Sequence, residues 1–213
     1  MIKLSFIGMS GVGKSFWTRK LASAGFRAIS IDDRIEEKLA PELESGGHKG
    51  IGGVAEWMGW PDQPGYRERE QKYLTSEIGS MREALDEIAT SSGEGIVLDT
   101  TGSVIYTGED TCRRLQKLTK VVDFAASPNE EETLIARYLS DPKPVLWGDS
   151  FSRRDGETTK EAVVRCYPLL IAKRKQLYER LAHCIVPMHQ LRDGTLDARG
   201  FLELLEAQVR QTR

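Results

Sequence analysis

Cysteine is scarce in this chain: Cys112, Cys166 and Cys184 are odd in number and far apart. That spacing argues against a disulfide framework and a cysteine-held zinc, and it fits a reducing, cytoplasmic setting. Histidine is as rare. His48, His183 and His189 form no i, i+4 pair and have no neighbouring cysteine ligand, so no zinc site is predicted. Long hydrophobic runs are missing. No segment approaches the roughly 20 apolar residues that cross a bilayer, and the apolar stretch in "MIKLSFIG" is too short for a secretory leader. Charge of one sign is missing too. A formal net charge of -2 gives no basic field to attract nucleic acid, and the basic residues at 113–120 read as a solvated helix face. The expected partner is a small molecule, with no membrane and no nucleic acid, for a chain that is a monomer or weak dimer.

What is present is an alternation. Short apolar runs at 2–7, 27–31, 95–99, 120–126 and 184–188 read as strands. Amphipathic stretches at 14–24, 66–90, 108–119, 129–140, 158–183 and 197–211 read as helices between them. Continuous apolar strands separated by helices predict an α/β fold with a parallel sheet covered on both faces. With 213 residues, the chain is long enough to bury a core as one domain. Two segments break the rhythm: 44–65, rich in Gly and aromatic residues, and 140–157, rich in Pro and charge. Irregular segments of that length are usually binding loops or lids.

Directly after the first apolar run stands "GMSGVGKS", residues 8 to 15. It fits G-x-x-x-x-G-K-[ST], the phosphate-binding P-loop, in the strand–loop–helix context the motif requires. Glycines let the backbone fold into a nest of N–H groups aimed at phosphate oxygens, and the following helix adds the positive end of its dipole. Gly11, Val12, Gly13, Lys14, Ser15 and Phe16 are therefore candidate ATP-binding residues. Lys14 is expected to reach the β- and γ-phosphates, and the Ser15 hydroxyl to ligate Mg2+. Asp99, at the end of the third strand, is a candidate to hold the metal through water. No Asn-Lys-x-Asp guanine motif and no Leu-Ser-Gly-Gly-Gln stretch occurs, which argues against a GTPase and a transporter ATPase.

Further along, four stretches fall in a telling order. They are "SIDDRIEEKL" with Asp32, Ile35 and Glu36; "YREREQ" with Arg67 and Glu70; "PKPVLWG" with Lys143; and "LLIAKRKQLYERLA" with Arg174, Tyr178 and Ala182. Together with the P-loop they resemble the shikimate kinase family of P-loop small-molecule kinases, over nearly the whole chain. The resemblance implies a three-layer α/β/α domain over 1–213 with a five-stranded parallel sheet, a substrate-binding subdomain around 33–66 and a lid around 140–157. It implies ATP- and Mg2+-dependent phosphoryl transfer to a hydroxyl of a small carboxylate-bearing metabolite, shikimate or an analogue. Residue by residue, it makes Asp32 the group that orients and deprotonates the acceptor hydroxyl. Arg67 and Arg174 become the pair that grips the substrate carboxylate, and guanidinium suits that task through bidentate hydrogen bonds. Lys143 becomes the lid cation that stabilises charge on the transferring phosphoryl group. Arg192 becomes an adenine contact.

The chain also departs from the family pattern. The family's Gly-Gly-Gly is here "DTTGSV", which leaves Gly102 as the matched substrate-binding glycine and makes Thr100 and Thr101 candidates to reshape the pocket. The usual Asp-x-Asp is Ser30-Ile31-Asp32, the lid carries Lys143 in place of Arg, and Phe16 stands where Thr is common. Other readings of the same residues stand beside these. Asp32 follows a strand and precedes a helix, the place of an N-cap. Arg67 and Arg174 lie on strongly charged helices where solvated charge is ordinary. Trp57, Trp60 and Trp147 either pack the irregular loops down or shield a closed site from water. For function, a nucleoside, sugar acid or nucleic-acid end is an alternative acceptor, and a non-catalytic regulatory nucleotide binder is an alternative class.

Overall fold

β1 (Lys3–Ile7) reads KLSFI and is buried from Leu4 onward, as a strand covered on both faces must be. It lies at the centre of the sheet in the computed structural model, which describes residues 2–192 and 194–211, with the side chains of 209–211 excepted. The other strands are β2 (Arg27–Ser30), β3 (Ile96–Asp99), β4 (Lys120–Ala125) and β5 (Cys184–Pro187). Their order is β2-β3-β1-β4-β5, and every pairing is parallel. Leu4 aligns with Val97 on one side and Lys120 on the other. Because all strands run the same way, their carboxyl ends open on one edge, where α/β sheets bind ligands.

The helices are α1 (Lys14–Ser23), α2 (Ile31–Lys38), α3 (Ala40–Ser45), α4 (Gly50–Met58), α5 (Tyr66–Thr90), α6 (Glu109–Leu118), α7 (Pro128–Ser140), α8 (Thr159–Leu181), α9 (Met188–Leu191) and α10 (Ala198–Gln211). Capping explains several starts. Ser127 and Glu130 form a capping box on α7, with Pro128 in its first turn, and Thr158 with Glu161 does the same for α8. Ser30 accepts a hydrogen bond from Asp33 N–H at 3.2 Å and caps α2. The cap role therefore falls to Ser30, and the Asp32 carboxylate is free for other work.

Four helices lie outside the six stretches read as helices, one of them the four-residue α9. α2 and α3 are short, and α4 lies inside the Gly-rich segment 44–65 that reads as irregular. Its GIGGVAEWM buries Gly53, Val54 and Met58 along one side. A Cβ on Gly53 would come within 2.9 Å of the His48 carbonyl carbon, so the glycine serves close packing where composition suggested a loop. The Trp residues there and in segment 140–157 pack inward: Trp147 is buried, Trp57 and Trp60 are half-buried against the core, and Trp60 meets the Tyr138 ring edge-on at 5.9 Å.

Aromatic rings join the sheet to its cover. Phe6 of β1 lies 4.8 Å from Phe124 of β4 and 5.7 Å from Phe201 of α10, and Phe201 stacks on Trp17 of α1 at 4.4 Å. Trp17 also donates its indole N–H to the Leu191 carbonyl at 3.2 Å. Among the described residues no helix is long and apolar enough to cross a membrane. Phe201 is fully buried at the centre of this cluster. Phe201→Ala is expected to lower unfolding free energy by about 3–5 kcal/mol, measured by urea denaturation.

Candidate active site at the carboxyl edge of the sheet

The turn from β1 into α1 needs a backbone that only glycine adopts without strain: Gly8, Gly11 and Gly13 have φ of 127°, 85° and 109°. Gly8 is also closely hemmed, since a Cβ there would lie 2.9 Å from the Phe124 carbonyl oxygen. The turn brings Lys14 back over the loop. Its Nζ donates to the carbonyls of Gly8 at 2.9 Å and Met9 at 3.1 Å. Burial pushes the ammonium pKa down, opposed by Asp99, Asp32 and Asp123 nearby. Burial raises the pKa of the Asp99 carboxyl, with the charge of Lys14 and the neighbouring Ser15 acting the other way.

A cavity of about 260 Å³ opens in front of this loop. Gly11, Gly13, Lys14, Ser15 and Phe16 form its P-loop wall. Asp32 enters from the first turn of α2, Gly102 from the turn after β3, and Lys143 with Pro144 from the segment after α7. Asp32 is half-buried, and its pKa is pushed up to about 6 by loss of water and by the charge of Asp99, with Lys14 and Lys143 acting the other way. Lys143 Nζ is held by Asp141 at 2.8 Å, and Lys143 and Pro144 also line a second cavity of about 450 Å³ beneath α4. Val12 and Arg192 lie beside a third space, of about 270 Å³, with Gly11, Gly13 and Phe16 on its shared wall.

The two arginines implied by the resemblance are not in the cavity. Arg67 is exposed and donates to Glu70 Oε2 at 3.0 Å. Arg174 is buried, its Nη1 donating to the Gly102 carbonyl at 3.1 Å and its Nη2 to the Leu146 carbonyl at 2.8 Å. Its guanidinium also lies 5.4 Å from the Tyr106 ring centre. Tyr178, one turn on, donates to the same Gly102 carbonyl. In this arrangement Arg174 braces the turn after β3 and the segment around Leu146 from behind.

Pattern reading missed a buried polar cluster. Glu77 of α5 is fully buried; Oε1 accepts from the Thr101 hydroxyl and Oε2 from Ser103 Oγ at 2.7 Å. Tyr73 and Thr101 line the cavity together with Ile51 of α4. Burial raises the Glu77 pKa to about 7 against these hydrogen bonds. The sequence carried one signal for it. Glu77 falls on the same helix stripe as Tyr66, Tyr73, Met81, Ala84, Leu85 and Ile88, a charge on an apolar face.

Magnesium and nucleotide can be tested against these residues. One hydroxyl and one carboxylate, Ser15 and Asp99, stand together at the loop, a donor set that suits a metal brought in with phosphates. Among the described residues no three His, Cys, Asp or Glu side chains converge as a metal-binding group.

Solved structures match this architecture end to end. The fold is that of the shikimate kinases. Shikimate kinase from Bacteroides thetaiotaomicron superposes with a TM-score of 0.61 and 18% identity, covering 96% of this chain and 98% of that one. The Acinetobacter baumannii enzyme in complex with shikimate gives 0.60 and 22%, covering 97% and 94%. That from Aquifex aeolicus gives 0.56 and 12%, covering 97% of each. No protein-family model matches the sequence, and no curated protein matches it. At these identities the likeness lies in the fold, so the chemistry must be argued from the side chains.

Glu77 yields a pH prediction. Its pKa is raised above the ordinary 4.5 to about 7, so folding takes up a proton between those values. Its contribution to stability is full below the unfolded value and is lost as pH rises through the folded one. Glu77→Gln is expected to flatten the fall in melting temperature between about pH 4.5 and 7, followed by circular dichroism.

Proposed function

We propose that this protein transfers the γ-phosphoryl group of ATP to a hydroxyl of a small polyhydroxylated molecule. The observation that carries the reading is the presence of Lys14, Asp32 and Lys143 together on the lining of one cavity. ATP would supply the phosphoryl group, and magnesium bound with it would neutralise charge on the phosphate oxygens. Gly11, Gly13 and the start of α1 would present backbone N–H groups to the phosphates. Lys14 would exchange its bonds to Gly8 and Met9 for bonds to the β- and γ-phosphate oxygens. Ser15 and Asp99 would hold the metal, and Val12, Phe16 and Arg192 would border the base.

Asp32 would accept a hydrogen bond from the acceptor hydroxyl and take its proton as the new bond forms. A carboxylate with pKa near 6 is ionised at neutral pH and still basic enough for that task. Lys143 would approach the transferring group from segment 140–157, the proposed lid, and Pro144 beside it would help to exclude water. Most of the rate would come from positioning and charge neutralisation.

A carboxylate-bearing acceptor, shikimate or an analogue, is a second reading, favoured by the Acinetobacter baumannii neighbour in complex with shikimate. It needs Arg67 to turn from Glu70, and Arg174 to give up the Gly102 and Leu146 carbonyls.

ADP release over a panel of cyclitols, sugars, hydroxy acids and nucleosides tests the reading. Acceptor-dependent turnover is expected. In Asp32→Asn it should fall by about a hundredfold or more, while ATP affinity changes by less than about threefold. Tight ATP binding with no acceptor-dependent turnover across the panel would point to a regulatory nucleotide binder.

A further inference from the structure

Resting on the kinase reading above, the space next to the P-loop cavity narrows the acceptor. We infer that the acceptor is a nucleoside, with a sugar hydroxyl presented to Asp32 and its base seated in the neighbouring cavity beneath α4, against Trp60.

The two cavities adjoin. Lys143 and Pro144 line both, and on α4 Ile51 lines the smaller while Gly52, next in the chain, lines the larger. The smaller, of about 260 Å³, has to hold the transferring phosphoryl group as well as the hydroxyl that attacks it. That leaves room for little more than one small ring. The larger, of about 450 Å³, continues past Pro144 and shares no residue with the P-loop. An acceptor of one small ring would leave it to water.

Its walls suit a flat ring with polar edges. Trp60, Tyr138, Met58 and Val145 supply aromatic and aliphatic surface. Tyr138 is fixed by stacking on Tyr167 at 4.9 Å, and the Trp60 ring meets it at 76°, half-buried against the core. The indole is therefore set in place beforehand, and a base stacking on it costs little side-chain entropy. Gln63 Oε1 accepts from Trp60 N–H at 2.8 Å, which leaves its amide nitrogen to donate. Glu56 and Asp141 add acceptors to the same lining. A base edge carries donors and acceptors side by side, and a mainly apolar pocket with a few placed polar groups is what reads it.

The charges around this cavity already have partners. Lys143 Nζ is held by Asp141 at 2.8 Å, and Glu56 bonds His48 Nδ1 at 3.2 Å. Arg69, beside Gly59, donates to the Met58 and Pro64 carbonyls at 3.0 and 3.1 Å. Arg67 and Arg174 line neither cavity. The larger space thus favours a neutral group with a π face over a second ionic one.

The test is a binding measurement, separable from turnover. Titration calorimetry with magnesium and a saturating non-hydrolysable ATP analogue, which fills the donor site, compares adenosine, guanosine, cytidine and uridine with ribose and shikimate. At least one nucleoside is expected to bind about tenfold or more tightly than either ribose or shikimate. Trp60→Ala is expected to weaken that nucleoside by about tenfold, and Gln63→Ala to change the ranking among the bases. No nucleoside binding more tightly than ribose, shikimate binding more tightly than every nucleoside, or an affinity that Trp60→Ala leaves unchanged would each overturn the inference. The wild-type comparison decides even if Trp60→Ala does not fold. ADP release with the same compounds judges the kinase reading separately: nucleoside binding without ADP release would defeat that reading and leave the seat of the base in place.

Discussion

A single ammonium group organises the working edge of this fold. Lys14 is buried at the turn between β1 and α1, and loss of water pushes its pKa down. Two backbone carbonyls and the charges of Asp99, Asp32 and Asp123 oppose that loss. Asp99 ends β3, Asp32 lies in the first turn after β2, and Asp123 lies within β4. The parallel order β2-β3-β1-β4-β5 therefore gathers them around the lysine. Asp123 shows how finely the balance is set. Its Oδ1 has no hydrogen-bond partner among the described residues, and burial raises its pKa to about 7 with Lys14 opposing. An incoming triphosphate would replace the carbonyls as the partner of Lys14 and bring its own negative charge to the helix start.

The segment over the site is held by the same logic of buried partners. Glu70 Oε1 accepts from the backbone N–H of Trp147 at 2.7 Å and of Gly148 at 3.0 Å. Tyr66 donates to the Val145 carbonyl at 2.7 Å, and Arg174 to that of Leu146. Val145, Leu146 and Trp147 are consequently buried, while Lys143 remains at the cavity mouth. Any closing movement would hinge on either side of this anchor. Arg174 and Glu70 are thus tied into the architecture of this segment.

The strands and long helices were legible because their chemistry is local. Apolar runs of five to seven residues, capping residues and the P-loop glycines each declare a conformation without help from distant parts of the chain. The Gly-rich segment was not legible, since the glycines of α4 allow close packing on His48, a contact invisible in sequence. Within the site, Gly11, Gly13, Lys14, Ser15, Asp32, Gly102 and Lys143 were named by spacing and resemblance, and the structure brings them around one cavity. Glu77 was hidden because a lone glutamate on a charged 25-residue helix looks solvated until Thr101 and Ser103 fold over it. Arg67 and Arg174 were named as a clamp by motif position, and here they hydrogen-bond Glu70 and the carbonyls of Gly102 and Leu146.

The central claim is that the charge gathered around Lys14 exists to receive a triphosphate opposite Asp32. A crystal structure with magnesium and a non-hydrolysable ATP analogue tests it most directly. The account predicts that Lys14 Nζ leaves the Gly8 and Met9 carbonyls for the terminal phosphates, with the metal at Ser15 and the γ-phosphate facing Asp32. A triphosphate seated elsewhere, or Lys14 still bound to those carbonyls beneath a bound nucleotide, would contradict it.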